Sequence, residues 1–446
     1  MKSQQQRLRA LNTLWHASVL AAAAALAACG GGGDGPGTVI EGEPTSNAPA
    51  PSPAPAPSPS PAPSPSPAPS PAPAPAPSPA PSPAPAPAPA LAIEGDTIAA
   101  GYRHSLFVKS DGTVWSIGRN ADGQLGDGST TDRPAWTQVS GISNARAVAA
   151  GDYHSAVLKA DGTVWTFGDN ASGQIGDGSG ADRSAPVQVP GLSSIRMIAV
   201  QGSFNLALRA DGVVFAWGQN SDGQLGDGST TDRPQPVQVS GLSDVKSIAA
   251  GWYHALALKT NGTVFAWGDN QYGMVGDGST LDRHHPVQVS GLSNAVGIAG
   301  GRVHSMALKN DGSVLTWGHN DYGQLGTGNN TGRVTPGPVA GLAAPAVKIA
   351  AGSDHNFAVF ADGSARGWGY NGTGTLGDGT GTDRKLPVPV KIANLAGIVG
   401  GWTHSMGVTA GGSGYAWGGN AYGRLGDGTT SSRPTPINTY SGVLVQ

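Results

Sequence analysis

The chain has 446 residues and a formal net charge of −3, with 26 Lys and Arg against 29 Asp and Glu. Three residues of each sign lie before residue 94 and the others are spread evenly, so no basic stripe is available for a phosphate backbone and nucleic-acid binding is disfavoured. The single cysteine, Cys29, excludes a disulfide framework, so the folded part must be held together by packing.

Residues 1–29 have the composition of a processing segment rather than of a folded element. Three basic residues precede an apolar stretch over residues 19–25, and the motif Leu-Ala-Ala-Cys ends at Cys29. The motif resembles the lipobox of bacterial lipoproteins, which implies a lipid on Cys29, and Gly30 in the next position favours the outer membrane. An ordinary signal peptide or a weak membrane anchor is the alternative. Whether the protein faces the periplasm or the cell exterior stays open.

Residues 30–93 form a predicted linker that begins with glycines and continues as a Pro, Ala and Ser repeat. Proline occupies every odd-numbered position from Pro49 to Pro89, which forbids helix and favours extended polyproline II. About 42 residues at ~3.1 Å each give a semi-rigid spacer of roughly 130 Å. A proline-rich peptide ligand is the alternative interpretation of this segment.

Residues 94–446 contain one pattern seven times, at intervals of about fifty residues. Each copy reads A-G-x-x-H, D-G-x-V, W-G-x-N, G-Q-L-G-D-G and D-R-x-x-P-V-Q-V, with small variations. The glycine of W-G-x-N falls at Gly118, Gly168, Gly218, Gly268, Gly318, Gly369 and Gly418. The histidine of A-G-x-x-H falls at His104, His154, His254, His304, His355 and His404, and we align Asn205 with it in the third copy.

One copy, residues 246–295, predicts four short strands and no helix. The apolar runs 247–250 and 254–259 are followed by Asn261-Gly262, a dipeptide typical of a tight hairpin turn. The β-branched and aromatic run 263–267 and the later run 286–289 supply two more strands. Four-stranded antiparallel units that repeat seven times predict an all-β, seven-bladed β-propeller, since each blade then buries both faces against its neighbours.

The three motifs A-A-G-x-x-H-S-x-A-L, D-G-T-V-x-x-W-G-x-N and G-Q-L-G-D-G resemble the regulator of chromosome condensation repeats, a family of seven-bladed propellers. The resemblance covers all seven copies and implies the fold. It implies little about activity, because one propeller fold serves many functions.

Most residues that look chemical recur in every copy, which indicates a structural role. Six equivalent histidines on six different blades cannot form one catalytic or metal site, and each is expected to lock its blade to a neighbouring loop. The Gly-Asp-Gly loops resemble fragments of calcium loops, but no bidentate Glu follows, and Asx turns explain them more simply. The arginine present in all seven copies is expected to contact a loop carboxylate or carbonyl. We therefore expect no catalytic residue, no metal and no cofactor.

The positions that vary between copies carry the functional prediction. The two x positions of A-G-x-x-H and the long loop before the fourth strand emerge at the same end of the blades, and they are rich in residue types found at interface hot spots. The alternative is that the aromatic side chains plug the central channel. The candidate partner-binding residues are Tyr102, Arg103, Asp152, Tyr153, Phe204, Trp252, Tyr253, Tyr272, Arg302, Tyr322, Asp354, Tyr370, Trp402 and Tyr422.

These observations predict a non-catalytic, membrane-tethered lipoprotein, a monomer whose propeller face binds an unknown protein or glycan of the cell envelope. Resemblance to a secreted bacterial β-lactamase inhibitor implies one concrete version of such a protein binder. Resemblance to the eukaryotic founder of the family implies guanyl-nucleotide exchange instead. The signal peptide and the uniform spacing, which leaves no inserted wedge in any blade, argue against exchange activity.

Overall fold

The computed structural model describes residues 94–445, which belong to one structural unit, Pro85–Gln446. The predicted signal peptide, Cys29 and the predicted linker 30–93 lie outside the described residues, so these predictions stay untested. Within residues 94–445, no helix is long and apolar enough to cross a membrane.

Seven four-stranded antiparallel sheets make up the described chain, and each sheet uses four consecutive strands. The prediction of a seven-bladed propeller is confirmed. One 3-10 turn, Ala421–Gly423, lies in blade 7. The strands of blades 1 to 3 are Ile98–Ala100 (β1), His104–Val108 (β2), Val114–Gly118 (β3), Arg133–Gln138 (β4), Ala145–Ala150 (β5), His154–Lys159 (β6), Val164–Gly168 (β7), Arg183–Gln188 (β8), Ile195–Gln201 (β9), Phe204–Arg209 (β10), Val214–Gly218 (β11) and Arg233–Gln238 (β12). The strands of blades 4 to 7 are Val245–Ala250 (β13), His254–Lys259 (β14), Val264–Gly268 (β15), Arg283–Gln288 (β16), Ala295–Gly300 (β17), His304–Lys309 (β18), Val314–Gly318 (β19), Arg333–Pro338 (β20), Ala346–Ala351 (β21), His355–Phe360 (β22), Ala365–Gly369 (β23), Arg384–Pro389 (β24), Leu395–Gly400 (β25), His404–Thr409 (β26), Ser413–Gly418 (β27) and Arg433–Ser441 (β28).

Blade 4 shows how the repeat specifies these strands. The Asn261 side chain accepts a hydrogen bond from the Thr263 amide at 3.0 Å, and Gly262 adopts φ +79°, which closes the predicted hairpin between β14 and β15. The fourth strand begins at Arg283, three residues before the predicted run 286–289. The reason is a register shift between Ala266 and Gly268, which lets Gly268 pair with Arg283.

The hydrophobic core lies between neighbouring blades. Trp267 of blade 4 is fully buried in a cluster that contains Leu206 and Val214 of blade 3. Its indole Nε1 donates to the Gln224 carbonyl oxygen of blade 3 at 2.9 Å, so the ring both fills the interface and closes a hydrogen bond. Each blade therefore depends on its neighbour for burial, as expected for a propeller.

A ring of histidines also joins the blades. Each histidine is fully buried and its Nε2 hydrogen-bonds to a Ser or Asn side chain of the next blade at 2.8–3.0 Å. The ring closes between blades 7 and 1, where His404 contacts Ser105. The six pairs are His104–Ser155, His154–Asn205, His254–Ser305, His304–Asn356, His355–Ser405 and His404–Ser105.

The alignment of Asn205 with these histidines is wrong by one residue. Phe204 pairs with Gly218 just as His254 pairs with Gly268, so Phe204 occupies the histidine position of blade 3. Asn205 occupies the partner position and receives the hydrogen bond from His154. The position that faces Phe204 on blade 4 is Ala255, and both residues lie in one apolar cluster. Where the histidine is absent, its hydrogen-bonding partner is absent as well.

The ring closes blade against blade, because β28 pairs with β27 of its own sheet. The residues after β28 then reach blade 1, where the Leu444 amide donates to the Val108 carbonyl oxygen at 2.9 Å. Tyr440 is 6% exposed and stacks on Phe107 of blade 1 at a centroid distance of 4.9 Å. The C-terminal segment thus ties the last blade to the first without exchanging a strand.

Candidate functional site: the aromatic face

Two sets of segments meet at one end of the ring, which we call the aromatic face. They are the turns between the first and second strands of each blade, such as residues 251–253, and the loops between the third and fourth strands, such as residues 269–282. Contacts join the two sets: the Arg103 Nη1 donates to the Tyr422 hydroxyl at 2.8 Å. The other end, which we call the hairpin face, carries the turns between the second and third strands.

A repeated hydrogen-bond network holds the long loops. In blade 1, the Asn120 Nδ2 donates to the carbonyl oxygens of Ser129 and Thr131, and its Oδ1 accepts from the Leu125 amide. The Asp127 carboxylate accepts from the Ser129 hydroxyl and from the Arg133 Nε at 2.7 Å. The expectation that the recurrent arginine contacts a loop carboxylate is confirmed here. The Asp127 oxygens are thereby engaged within the loop, and no group of three or more potential metal ligands occurs among residues 94–445.

Three aromatic residues from different blades meet at the centre of the face. Trp252 of blade 4 and Trp402 of blade 7 lie 4.3 Å apart between ring centroids, and Tyr102 of blade 1 lies 4.6 Å from Trp402. They cover one end of a central channel of about 660 Å³ that is lined by the first strand of every blade. The alternative that aromatic side chains plug the channel holds for these three residues. All three also remain partly exposed, so the plug is part of the surface.

A second cluster lies over blades 4 to 6. Arg302 forms an ion pair with Asp354, with Nε and Oδ2 3.1 Å apart, and the Asp354 carboxylate also accepts from the Ser353 hydroxyl. Tyr322 and Tyr370 pack edge to face at 5.4 Å, and the Tyr272 ring packs against the His319 imidazole at 4.6 Å. The residues Arg302, Tyr322, Asp354 and Tyr370 thus come together as the sequence analysis expected, although His319 was not among its candidates.

Ionisable groups of both signs lie on the aromatic face. Burial and the nearby Asp169 raise the pKa of Asp152 to about 7, and burial raises the pKa of Asp269 to about 6. These acidic groups lie on blades 2 and 4, whereas Arg103 and Arg424 lie on blades 1 and 7. The face therefore carries ionisable groups of both signs around the aromatic centre.

The structure changes the candidate list at two positions. Phe204 is fully buried in the core between blades 3 and 4, because it occupies the histidine position, so it is not a surface residue. Arg424 was missed, although it stands where four other copies have Gln. That departure from the repeat was the available signal. The other candidates, including Asp152, Tyr153 and Tyr253, lie on the aromatic face, although Asp354 is buried there because Arg302 and Ser353 engage its carboxylate.

Comparisons with known proteins agree with the fold. Two family models described as "Regulator of chromosome condensation (RCC1) repeat" match the chain, and no curated protein sequence matches it. The first model matches residues 111–158, 161–208, 211–258, 261–308, 311–359 and 412–445. The second matches residues 96–124, 145–174, 245–273, 295–324 and 346–375.

Solved propellers are similar in fold at low sequence identity. Yeast Prp20 in its complex with Kap60 is 23% identical, with a TM-score of 0.66, covering 75% of this chain and 85% of that one. A second structure of Prp20 from Saccharomyces cerevisiae, whose reported binding properties concern Gsp1p and histones, has the same identity and TM-score and covers 75% and 88%. Human WBSCR16 is 24% identical, with a TM-score of 0.61, covering 71% and 87%.

Proposed function

The chain belongs to the regulator of chromosome condensation repeat family, whose propeller is in general a binding scaffold, and we propose that it is a non-catalytic binding module. Its aromatic face would hold a protein partner of the cell envelope. The observation that carries this proposal is the partly exposed cluster of Tyr102, Trp252 and Trp402, which is surrounded by charged residues of both signs. Tryptophan, tyrosine and arginine dominate interface hot spots. A glycan is the alternative ligand class.

Nucleotide exchange has less support. The binding of Gsp1p and histones is reported for Prp20, which shares 23% identity with this chain, and likeness at that level speaks for the fold alone. On the aromatic face, the buried loop carboxylates such as Asp127 are engaged by neighbouring Ser and Arg side chains. A β-lactamase-inhibitor-like activity would be one form of the proposed protein binding.

The position of the described N-terminus supports a tethered orientation. The first strand of each blade runs from the hairpin face towards the aromatic face. The Glu94 amide donates to the Arg196 carbonyl oxygen at 2.7 Å, at the start of β9, so the described chain enters at the hairpin face. We propose that a lipid on Cys29 and the segment 30–93 attach the propeller at its hairpin face, which leaves the aromatic face free for a partner.

The first test concerns the anchor. In the full chain expressed in a bacterial host, Cys29→Ser is expected to abolish incorporation of a fatty-acid probe and to move the protein from the membrane to the soluble fraction. The reason is that Cys29 is the only thiol in the chain. Equal labelling of the variant and the parent would refute the lipoprotein proposal.

The second test concerns the aromatic face. The purified full chain would be used to capture proteins from envelope extracts, alongside Trp402→Ala and a matched control, Trp165→Ala. Trp165 is also partly buried but lies near the hairpin face, where its indole donates to the Thr163 hydroxyl at 3.1 Å. Truncation of a hot-spot tryptophan costs about 2 kcal/mol or more, which is roughly a thirtyfold loss of affinity.

The expected result is a partner retained by the parent and by Trp165→Ala but lost by Trp402→Ala. A set of captured proteins that is the same for all three forms would contradict the assignment of the face. Capture of a polysaccharide with the same dependence on Trp402 would favour the glycan alternative.

A further inference from the structure

The loop of blade 7 departs from the repeat at a buried arginine. Arg424 is 4% exposed, and its position is taken by other residue types in the six other blades. Its guanidinium donates to the carbonyl oxygens of Gly419 and Tyr102 at 2.7 and 2.9 Å and to the Thr403 hydroxyl at 2.7 Å. All three acceptors are neutral. The equivalent residues are Gln124, Gln174, Gln224, Met274, Gln324 and Thr375.

A second guanidinium lies close to the first. The Arg103 Nη1 donates to the Tyr422 hydroxyl at 2.8 Å, and its guanidinium carbon lies 4.8 Å from the centre of the Tyr102 ring. Burial, followed by repulsion from Arg103, lowers the pKa of Arg424 to about 10. Among residues 94–445, the ion pairs include neither Arg103 nor Arg424. By contrast, the neighbouring Arg119 is paired with Asp122.

The same loop carries backbone strain that the other copies lack. Tyr422 adopts φ +66°, a left-handed conformation that is unfavourable for a bulky side chain. The residues at the equivalent position of the other six blades do not have a positive φ. In this conformation the Tyr422 hydroxyl reaches Arg103. A buried cation without a counter-ion and a strained tyrosine, both confined to one copy of a sevenfold repeat, are not needed to build a blade.

We propose that Arg103, with Arg424 behind it and with Tyr102 and Tyr422 as walls, binds a carboxylate of an acidic peptide segment in the partner. This inference rests on the proposed function and specifies the chemistry of the partner. The planar donor fork of an arginine matches a carboxylate, and the aromatic walls pack against the apolar part of the same segment.

The rest of the face selects a short acidic segment over an extended polyanion. Asp152 borders the aromatic centre beside Tyr102, the exposed Asp321 lies on the long loop of blade 5, and the whole chain carries a net charge of −3. A long polyanion that reached Arg103 would also meet these acidic groups. A single carboxylate avoids them, and a basic residue elsewhere in the partner would be attracted to them.

The experiment compares two dipeptides that differ only in charge, N-acetyl-Trp-Glu-amide and N-acetyl-Trp-Gln-amide, by calorimetric titration of the purified full chain. The Glu peptide is expected to bind about tenfold more tightly, as a charge-assisted hydrogen bond implies. Arg103→Gln is expected to remove this preference. Arg209→Gln, which removes a guanidinium from the hairpin face, where Arg209 pairs with Asp211, is expected to retain it.

Arg424→Gln is expected to fold, because Gln is the residue of four other blades at this position. It is expected to melt at the same or a higher temperature than the parent and to lose the preference for the Glu peptide. Three results would overturn the carboxylate site. They are a preference for the Glu peptide that survives Arg103→Gln, equal binding of the two peptides, and no binding of either peptide. Competition by inorganic phosphate but not by acetate at equal ionic strength would also overturn it.

The two proposals fail in different ways. If the dipeptides do not discriminate while partner capture still depends on Trp402, only the carboxylate assignment is wrong. If capture is independent of Trp402, the face itself is wrong, whatever the dipeptides show.

Discussion

Lowering the pH from 7 to 5 is expected to destabilise the propeller by on the order of 5 kcal/mol, which is comparable to the whole free energy of unfolding of many domains. The cause is the ring of six buried histidines. Burial lowers the pKa of His104, His254 and His355 to about 3 and that of His154 and His304 to about 4, and it lowers the pKa of His404 well below 6.5.

The hydrogen bonds explain why these rings resist protonation. The Ser305 hydroxyl donates to the Met274 carbonyl oxygen at 2.8 Å, so the His254 Nε2 must donate its hydrogen to the Ser305 oxygen. The Nδ1 atom of each ring histidine is then an acceptor, and within the described chain it has no partner. A proton added there would be a buried donor without an acceptor, in addition to a buried charge.

The sign of the pH dependence follows from the protons bound. An unfolded chain binds a proton at each histidine below about pH 6.5, whereas the folded ring stays neutral, so the stability is fully present above 6.5 and is lost as the pH falls towards the folded pKa values. Asp96, Asp152, Asp169 and Asp269 act in the opposite direction, because burial raises the pKa of each carboxyl and the folded state binds their protons first. Four carboxyls offset only part of the effect of six histidines.

Urea unfolding at a series of pH values would measure this effect. The natural pair Phe204–Ala255 suggests the matched control, since it shows that a blade interface can be closed without a histidine. The double variant His254→Phe with Ser305→Ala removes one titrating ring and leaves no unpaired hydroxyl in its place. It should reduce the slope of stability with pH by about 1.4 kcal/mol per pH unit. Stability that stays constant from pH 7 to pH 5 would show that the histidines are not held neutral.

The sequence was sufficient for the fold because the fifty-residue period leaves one way to bury both faces of every blade. The sequence was a less reliable guide to the alignment of individual residues within one copy of the repeat. Blade 3 has Gln201-Gly202 where the other copies have glycine followed by a variable residue, and an alignment on that glycine displaces Phe204 and Asn205 by one. Strand pairing corrects the error, since the histidine and the third-strand glycine are directly opposite each other in the sheet.

The site was predictable only in outline. Alternating strand directions place the variable turns and the long loops at one end, which the sequence analysis inferred. No local pattern indicates that Trp252 and Trp402, three blades apart, meet across the channel. Arg424 lies outside the variable positions of A-G-x-x-H and replaces a glutamine that four other blades have at this position of the long loop.

Gly268→Ala is expected to destabilise the domain by roughly 3 kcal/mol or more, through strain and through a backbone clash. Gly268 has φ +104°, and an added Cβ would lie 2.4 Å from the Tyr253 carbonyl oxygen and 2.7 Å from the His254 Cα atom. Both are backbone atoms where the paired strand β14 begins, one in Tyr253 just before the strand and one in its first residue, His254, so neither can move without disturbing the sheet. All seven glycines at this position have a positive φ, which explains why the repeat retains them.

Gly291→Ala separates the two causes. Gly291 has φ +67° but no atom within 4 Å of an added Cβ, so this variant carries the backbone strain alone and should lose only about 1 kcal/mol. Trp252→Ala, on the partly exposed aromatic face, should also lose much less stability than Gly268→Ala. Thermal and urea unfolding of the three variants would decide between these contributions. Equal losses of stability for Gly268→Ala and Gly291→Ala would mean that strand β14 yields to the new methyl group. A large loss of stability for Trp252→Ala would place that tryptophan in the core rather than on a surface that is free to bind.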